Sequence, residues 1–280
     1  MTYRRYVAIG DSTTEGLEDA YPPHADLYAD NGHTLSPSHP SERGSYRGWA
    51  DRLAVHLAQA QDAPLDYANL AIRGNKLADV RTQLPVALEM QPDVMSIVAG
   101  VNDASGFSWN KHAARGHVAY LFRKARESGA DVVTFTMPDP SAVNWLVRPL
   151  RRNVFELNDI TRTEAKRYGV RVLDLPRYDV SVDARLWHAD RLHATSQGHA
   201  IIARGLAFAL SVPGFDESFS ENLPSSAPVG IRQRLREDRT WLREFLLPHA
   251  KRHRQGISMG DGRTPKRPIP LPVGPEMIAD

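Results

Sequence analysis

Tyr6-Val7-Ala8-Ile9-Gly10-Asp11-Ser12 is the stretch from which the rest of the chain can be read. Its four leading residues form a short apolar run of the kind a strand shows when both faces are buried. Gly-Asp-Ser then breaks the run and turns the chain into a helix, so Ser12 stands at the carboxyl end of the strand, where open α/β sheets carry their sites. Far along the chain, Asp190-Arg191-Leu192-His193 sets an acid three residues before a histidine. A serine on a tight turn, with an acid and a histidine able to reach it in space, is the minimum equipment for nucleophilic acyl transfer.

The same strand-like run recurs. Residues 5–9, 66–70, 94–99, 131–136 and 170–173 read as strands. Between them, residues 49–59, 76–88, 112–128, 153–168 and 196–211 carry apolar residues near the 3.6 spacing of helices. Gly129 and Gly169 sit where two helices should stop, each just before a strand. This alternation predicts an α/β fold, a three-layer α/β/α sandwich around a five-stranded parallel sheet.

With 280 residues and 41% apolar content, the chain is long enough for one such domain and an appendage. The division expected is a catalytic domain over residues 1–213 and a C-terminal helical extension over 214–280. There are no cysteines, which excludes disulfides, a thiolate nucleophile and cysteine metal sites. No run approaches the roughly 18 apolar residues of a membrane span, and the opening apolar run is too short for a secretory signal. A cytoplasmic protein is the expectation.

Two segments break the rhythm. Residues 18–47 are rich in Pro, His, Ser, Asp and Tyr without periodicity, which makes a long loop after Ser12, either a substrate-side flap or an insertion. After Pro213, residues 215–228 read as a linker. Ile231, Leu235, Leu242, Phe245 and Leu246 then recur at helical spacing up to Pro248. Residues 256–280 are dense in Pro and Gly and are expected to be disordered or draped on the surface. The net charge is only +2, yet residues 229–267 hold eleven Lys and Arg against four acids. That excess could serve nucleic acid or an anionic surface, but no recognised nucleic-acid motif is present. The helix is expected instead to lay Leu235, Leu242 and Phe245 on the catalytic domain or on a second copy of the chain.

Two further strand ends carry polar groups. After the third strand comes Ala99-Gly100-Val101-Asn102-Asp103, where the Asn102 amide could donate to a developing oxyanion or serve an Asx turn. After the second comes Asn69-Leu70-Ala71-Ile72-Arg73-Gly74-Asn75, where Gly74 would let a backbone N–H approach a ligand, or form an ordinary turn. Ser12 alone could be a helix cap, and Asp11, beside it, suits a structural place in the turn. The acid of Asp190-x-x-His193 can bond one imidazole nitrogen and leave the other to take a proton. Metal binding by His188, Asp190, His193 and His199 competes with this, although their spacing matches no H-E-x-x-H helix. Phosphate-binding and α/β-hydrolase elbow motifs are absent.

The four landmarks together resemble the SGNH hydrolases, the GDSL-type lipases and esterases. Gly10-Asp11-Ser12 is similar to that family's first block, Gly74 to its second, Gly100-Val101-Asn102-Asp103 to its third and Asp190-x-x-His193 to its last. The resemblance spans roughly residues 4–211 and departs in one place, where Thr13 and Thr14 stand instead of a large apolar residue. It implies a flavodoxin-like SGNH fold. It also implies a serine ester hydrolase with Ser12 as nucleophile, His193 as base and Asp190 as its orienting acid. The oxyanion hole would be Ser12, Gly74 and Asn102, the substrate a small-molecule ester, and no cofactor or metal would be needed. Acyl transfer on the same residues is the alternative within that chemistry. A binding module working through the basic helix is the alternative outside it.

Overall fold

The computed structural model of the protein describes residues 2–21, 46–61, 63–106, 109–226, 230–248, 251, 255 and 258–273. In chain order the elements are β1 (Arg5–Gly10), α1 (Ser12–Glu15), α2 (Gly48–Gln59), β2 (Asp66–Asn69), α3 (Leu77–Glu89), β3 (Val94–Val98), α4 (Val101–Ala104) and α5 (Lys111–Glu127). They continue with β4 (Asp131–Thr136), α6 (Pro140–Val143), α7 (Arg151–Tyr168), β5 (Arg171–Asp174), α8 (Ser196–Ala209), α9 (Ile231–Trp241) and β6 (Arg267–Pro272). The sheet order is β5-β4-β3-β1-β2-β6, with β1 to β5 parallel and β6 antiparallel to β2.

The unbroken apolar run of β1 is explained by a sheet covered on both faces. Tyr6 and Ala8 point into a core completed by Trp49 and Leu53 of α2 and Leu206 of α8. Val7 and Ile9 point into the opposite core, with Leu84 of α3 and Leu121 of α5. The chain passes from β1 outward to β2 and then back across to β3, so the order reverses beside β1. In such sheets the crevice beyond the carboxyl ends of the strands at that reversal is where ligands bind. It lies between Gly10, ending β1, and Val98, ending β3, which pair in register.

The carboxyl-terminal part departs from expectation in three ways. The sheet has six strands rather than five, because Arg267-Pro268-Ile269-Pro270-Leu271-Pro272, expected to be draped or disordered, pairs with β2. Proline at alternate positions leaves N–H groups only on Arg267, Ile269 and Leu271, which face one way in a strand. The outer side therefore offers no donors, a composition suited to a sheet edge. The segment is pinned by Lys266, whose ammonium is buried, pairs with Asp51 at 2.8 Å and donates to the Tyr46 and Arg47 carbonyls. Within the expected linker, Phe219 is buried in the main core. The predicted helix forms as α9 and continues as a π-helical turn, Leu242–Leu246, but two of the three expected side chains do not dock it. Trp241 is buried and Phe245 half-buried, its ring edge-on to His188, whereas Leu235 is 58% exposed and Leu242 39%. Most of the long loop after Ser12, residues 22–45, and the end of the tail, residues 274–280, lie outside the described residues. Among the described residues no helix is long and apolar enough to cross a membrane.

Lys266 compensates a carboxylate that also accepts the Tyr21 and Tyr67 hydroxyls. Lys266→Met should therefore cost about 3–5 kcal/mol of stability, because it leaves Asp51 buried without its cation. Urea unfolding of the variant beside wild type measures this.

Candidate active site

Ser12 opens α1 directly after β1 and is almost wholly buried. Asp11 caps the helix, its carboxylate accepting from the Thr13 N–H and hydroxyl at 3.0 Å each. That is the structural place in the turn its position suggested. Burial pushes the Asp11 carboxyl up to about 6, against the pull of the Thr13 bonds. Where the resemblance would have a large apolar residue follow Ser12, Thr13 and Thr14 stand instead, Thr13 half-buried and Thr14 buried against Gly10. A side chain at Gly10 would collide with Thr14 and with the Val98 carbonyl, so only glycine lets the strand end this closely beside β3. Gln83 of α3 holds that end, accepting from the Gly10 N–H and donating to its carbonyl, both at 2.9 Å.

His193 arrives from the loop before α8. Its Nε2 lies 2.9 Å from the Ser12 hydroxyl and its Nδ1 lies 2.6 Å from Asp190 Oδ2. A carboxylate can only accept, so Nδ1 carries the proton and Nε2 is free to accept from Ser12. Burial works to raise the Asp190 carboxyl. The bond and charge of His193 and the N–H groups of Leu192 and His193 outweigh it and hold the carboxyl below its ordinary range. Those two N–H groups meet Asp190 Oδ1 at 2.9 and 3.0 Å because Arg191 takes a left-handed conformation, φ 58°. That conformation costs a non-glycine residue on the order of 1 kcal/mol. Helix α9 holds the turn in place. The Arg191 guanidinium pairs with Asp238 at 2.6 Å, and the Trp241 indole N–H donates to the Asp190 carbonyl at 2.7 Å.

Gly74 and Asn102 come to the same edge. Gly74 has φ 78°, and the Asn102 amide donates to the neighbouring Asn75 carbonyl at 2.9 Å and faces Asp11 Oδ2 at 3.4 Å. Asp103 accepts from the Leu77 N–H at 2.9 Å, so the turns after β2 and β3 are tied to each other. The outer side of Gly74 is covered by Ser258 and Met259 of the tail, with Gly260 packed on the Arg73 carbonyl.

Sequence reasoning missed the residues that hold these turns. Glu15 and Arg73 form a buried ion pair linking α1 to the Gly74 turn, and the Arg73 N–H also donates to Glu15 at 2.8 Å. Arg73 directly after Leu70-Ala71-Ile72 is the one usable signal, but nothing in the sequence pairs it with Glu15. Among the described residues His188, Asp190, His193 and His199 do not come together as one set of ligands. Both His199 nitrogens are taken, Nδ1 accepting from the Trp49 N–H at 3.2 Å and Nε2 donating to the Leu17 carbonyl at 3.1 Å. His188 stands apart from Ser12, its Nε2 3.3 Å from Glu18, an exposed acid that with Asp190 completes a trio of ligand-type groups. Asp190 is already committed to His193.

The family model of the GDSL-like lipase/acylhydrolases matches residues 8–201. Among solved structures, the enzyme LAE5, described as an alpha/beta hydrolase from the metagenome of Lake Arreo, is 19% identical. That match covers 75% of this chain and 95% of that one, with a TM-score of 0.58. An acetylxylan esterase from Geobacillus stearothermophilus is 18% identical over 79% of this chain and 98% of its own, with a TM-score of 0.57. A lipase/acylhydrolase from Enterococcus faecalis is 21% identical over 80% and 100%, with a TM-score of 0.52. At these identities the likeness is one of fold. No curated protein matches the chain.

His199 joins α8, α2 and the end of the Ser12 turn as a neutral ring, its burial driving the imidazole down to about 4. The unfolded ring takes a proton near 6.5, so between about 6.5 and 4 the unfolded state binds the proton first and stability falls as pH falls. The loss attributable to His199 should reach about 3 kcal/mol by the lower end of that window. Asp11, raised to about 6, acts in the opposite sense and is common to both proteins compared. His199→Gln should be less stable than wild type at pH 7 and should show the smaller drop between pH 7 and 4.5 in denaturant titrations.

Proposed function

The chain belongs to the GDSL-like lipase/acylhydrolase family and is a carboxylic ester hydrolase, and from that premise we propose that Ser12, His193 and Asp190 hydrolyse a small-molecule ester through an acyl-enzyme. The observation that carries this reading is the continuous line of hydrogen bonds from the Ser12 hydroxyl through His193 to Asp190.

In this reading His193 Nε2 takes the Ser12 proton as Oγ attacks the ester carbonyl carbon. The imidazolium that forms is held by Asp190, whose carboxyl stays ionised because its environment keeps it below the usual range. The carbonyl oxygen becomes an oxyanion facing the Ser12 and Gly74 N–H groups and the Asn102 amide, a fixed set of donors in a site screened from water. Asn102 would give its longer contact, the one toward Asp11, to that oxygen and keep its bond to Asn75. As the tetrahedral centre collapses, the bond to the alcohol oxygen breaks and His193 returns the proton to it. Water then enters, His193 takes its proton, the hydroxide adds to the acyl carbon, and Ser12 leaves with that proton as the carboxylic acid forms.

Ser12→Ala and His193→Ala should each lower turnover of short p-nitrophenyl esters by at least about three orders of magnitude with unchanged circular dichroism. Undiminished rates in the pure variants would sink the reading. Asp190→Asn should cost less than either, since two backbone N–H groups still orient the loop. Trp241→Phe keeps the buried ring but removes the donor to the Asp190 carbonyl. A fall in kcat of about tenfold with little change in KM is expected, the signature of a positioning residue.

A further inference from the structure

Beside the Ser12 edge lies a groove of about 410 Å³, within the range of small-molecule sites. Asn102 and Asp190 line it, together with two largely apolar walls. One wall comes from the 3-10 segment Trp145–Leu150, through Leu146. The other comes from the C-terminal helix, through Trp241, Phe245 and Leu246. Of the polar side chains that line it, Asp190 is engaged with His193, Arg191 with Asp238 and the Asn102 amide with Asn75, while Ser105 and Glu244 complete the lining.

We propose that this groove is the acyl-chain site, and that the C-terminal helix makes the protein selective for esters of medium-length hydrocarbon acyl groups. The inference rests on the Ser12 chemistry proposed above, which fixes where the ester carbonyl sits. The groove is lined by Asn102, the amide that would hold the carbonyl oxygen, and the acyl chain is bonded to that carbonyl. The leaving oxygen must instead turn toward His193 Nε2. Walls that are mostly apolar would strip a sugar's hydroxyls of water and return few bonds, whereas a hydrocarbon chain gains from the same desolvation. Each methylene that enters should raise kcat/KM about three- to fourfold until the groove is full.

The test varies the two halves of the substrate separately. p-Nitrophenyl acetate, butyrate, hexanoate and octanoate change only the acyl part, and ethyl, butyl and hexyl acetate change only the alcohol. A kcat/KM that climbs along the first series and stays level along the second is expected. A profile flat in acyl length, or one that follows the alcohol alone, overturns the proposal. Leu246→Glu puts a charge on a partly exposed wall position and should lower the octanoate-to-acetate ratio about tenfold, and Leu246→Ala should lower it less. An unchanged ratio in both variants also overturns it. Calorimetric titration of Ser12→Ala protein with butyrate, hexanoate and octanoate ions reads the groove without turnover. Affinity that rises with chain length and drops in the Leu246→Glu background supports the groove even if no ester is hydrolysed, an outcome that would refute the Ser12 mechanism alone. Affinity independent of chain length counts against the groove whatever the rates show.

Discussion

The parallel pairing of β1 with β3, in which Gly10 faces Val98, is the constraint on which the site depends. It places the reversal of strand order beside Ser12, so the chain leaves the sheet toward opposite sides and opens a crevice there. Ser12 and Asn102 then emerge at one level from adjacent strands. The closeness of the two strands leaves no room for a side chain at Gly10, and Gln83 satisfies both backbone groups of that residue from the helix layer. With β1 anchored this way, the hydroxyl of Ser12 is presented by the sheet itself. Only His193 has to be brought to it by a loop.

Around that edge, buried charges bind the loops to one another. Glu15 pairs with Arg73, Asp19 with Arg52, and Asp51 with Lys266, each pair joining segments distant in sequence. Such pairs add little net stability because desolvating two ions offsets most of their attraction. Removing one partner is nevertheless costly, so each pair disfavours arrangements in which its loops part. We read them as devices that select one loop arrangement from several that an apolar core alone would tolerate. The Glu15–Arg73 pair is the one nearest the chemistry, since Arg73 immediately precedes Gly74.

Most of this was legible in the sequence, and the misses have physical causes. The five parallel strands and their helices stand within a residue or two of the expected bounds, because burial on both faces writes an apolar run that periodicity can find. Ser12, Asp190 and His193 were legible because each follows a strand or a turn that sends it to one edge. Strand β6 was not, since proline usually argues against a strand and only the alternation at 268, 270 and 272 marks an edge. Two of the three side chains expected to dock the C-terminal helix stay exposed for a related reason. Helical spacing reports which residues are apolar, and Leu235 and Leu242 satisfy it while remaining exposed. Trp241 docks because its N–H has a carbonyl to meet, a partner lying far away in sequence.

That contact changes how the C-terminal extension should be understood. The Asp190 carboxylate spends one oxygen on two local N–H groups and the other on His193, which requires Arg191 to remain in a left-handed conformation. Within the loop the Arg191 N–H donates to the His188 carbonyl and the His188 N–H to the His193 carbonyl, both at 2.8 Å, but neither bond holds the Arg191 side chain or the Asp190 carbonyl. Asp238 and Trp241 do, one gripping the Arg191 side chain and the other the Asp190 carbonyl. At the opposite end of the extension, Ser258 and Gly260 lie on the Gly74 turn, and Lys266 and β6 fasten that segment to the sheet. The extension thus braces both sides of the Ser12 crevice, the acid-base loop through a helix and the Gly74 turn through a strand. A sheet edge of this kind leaves its loops to be ordered by whatever packs above them, and in this chain the tail supplies that packing.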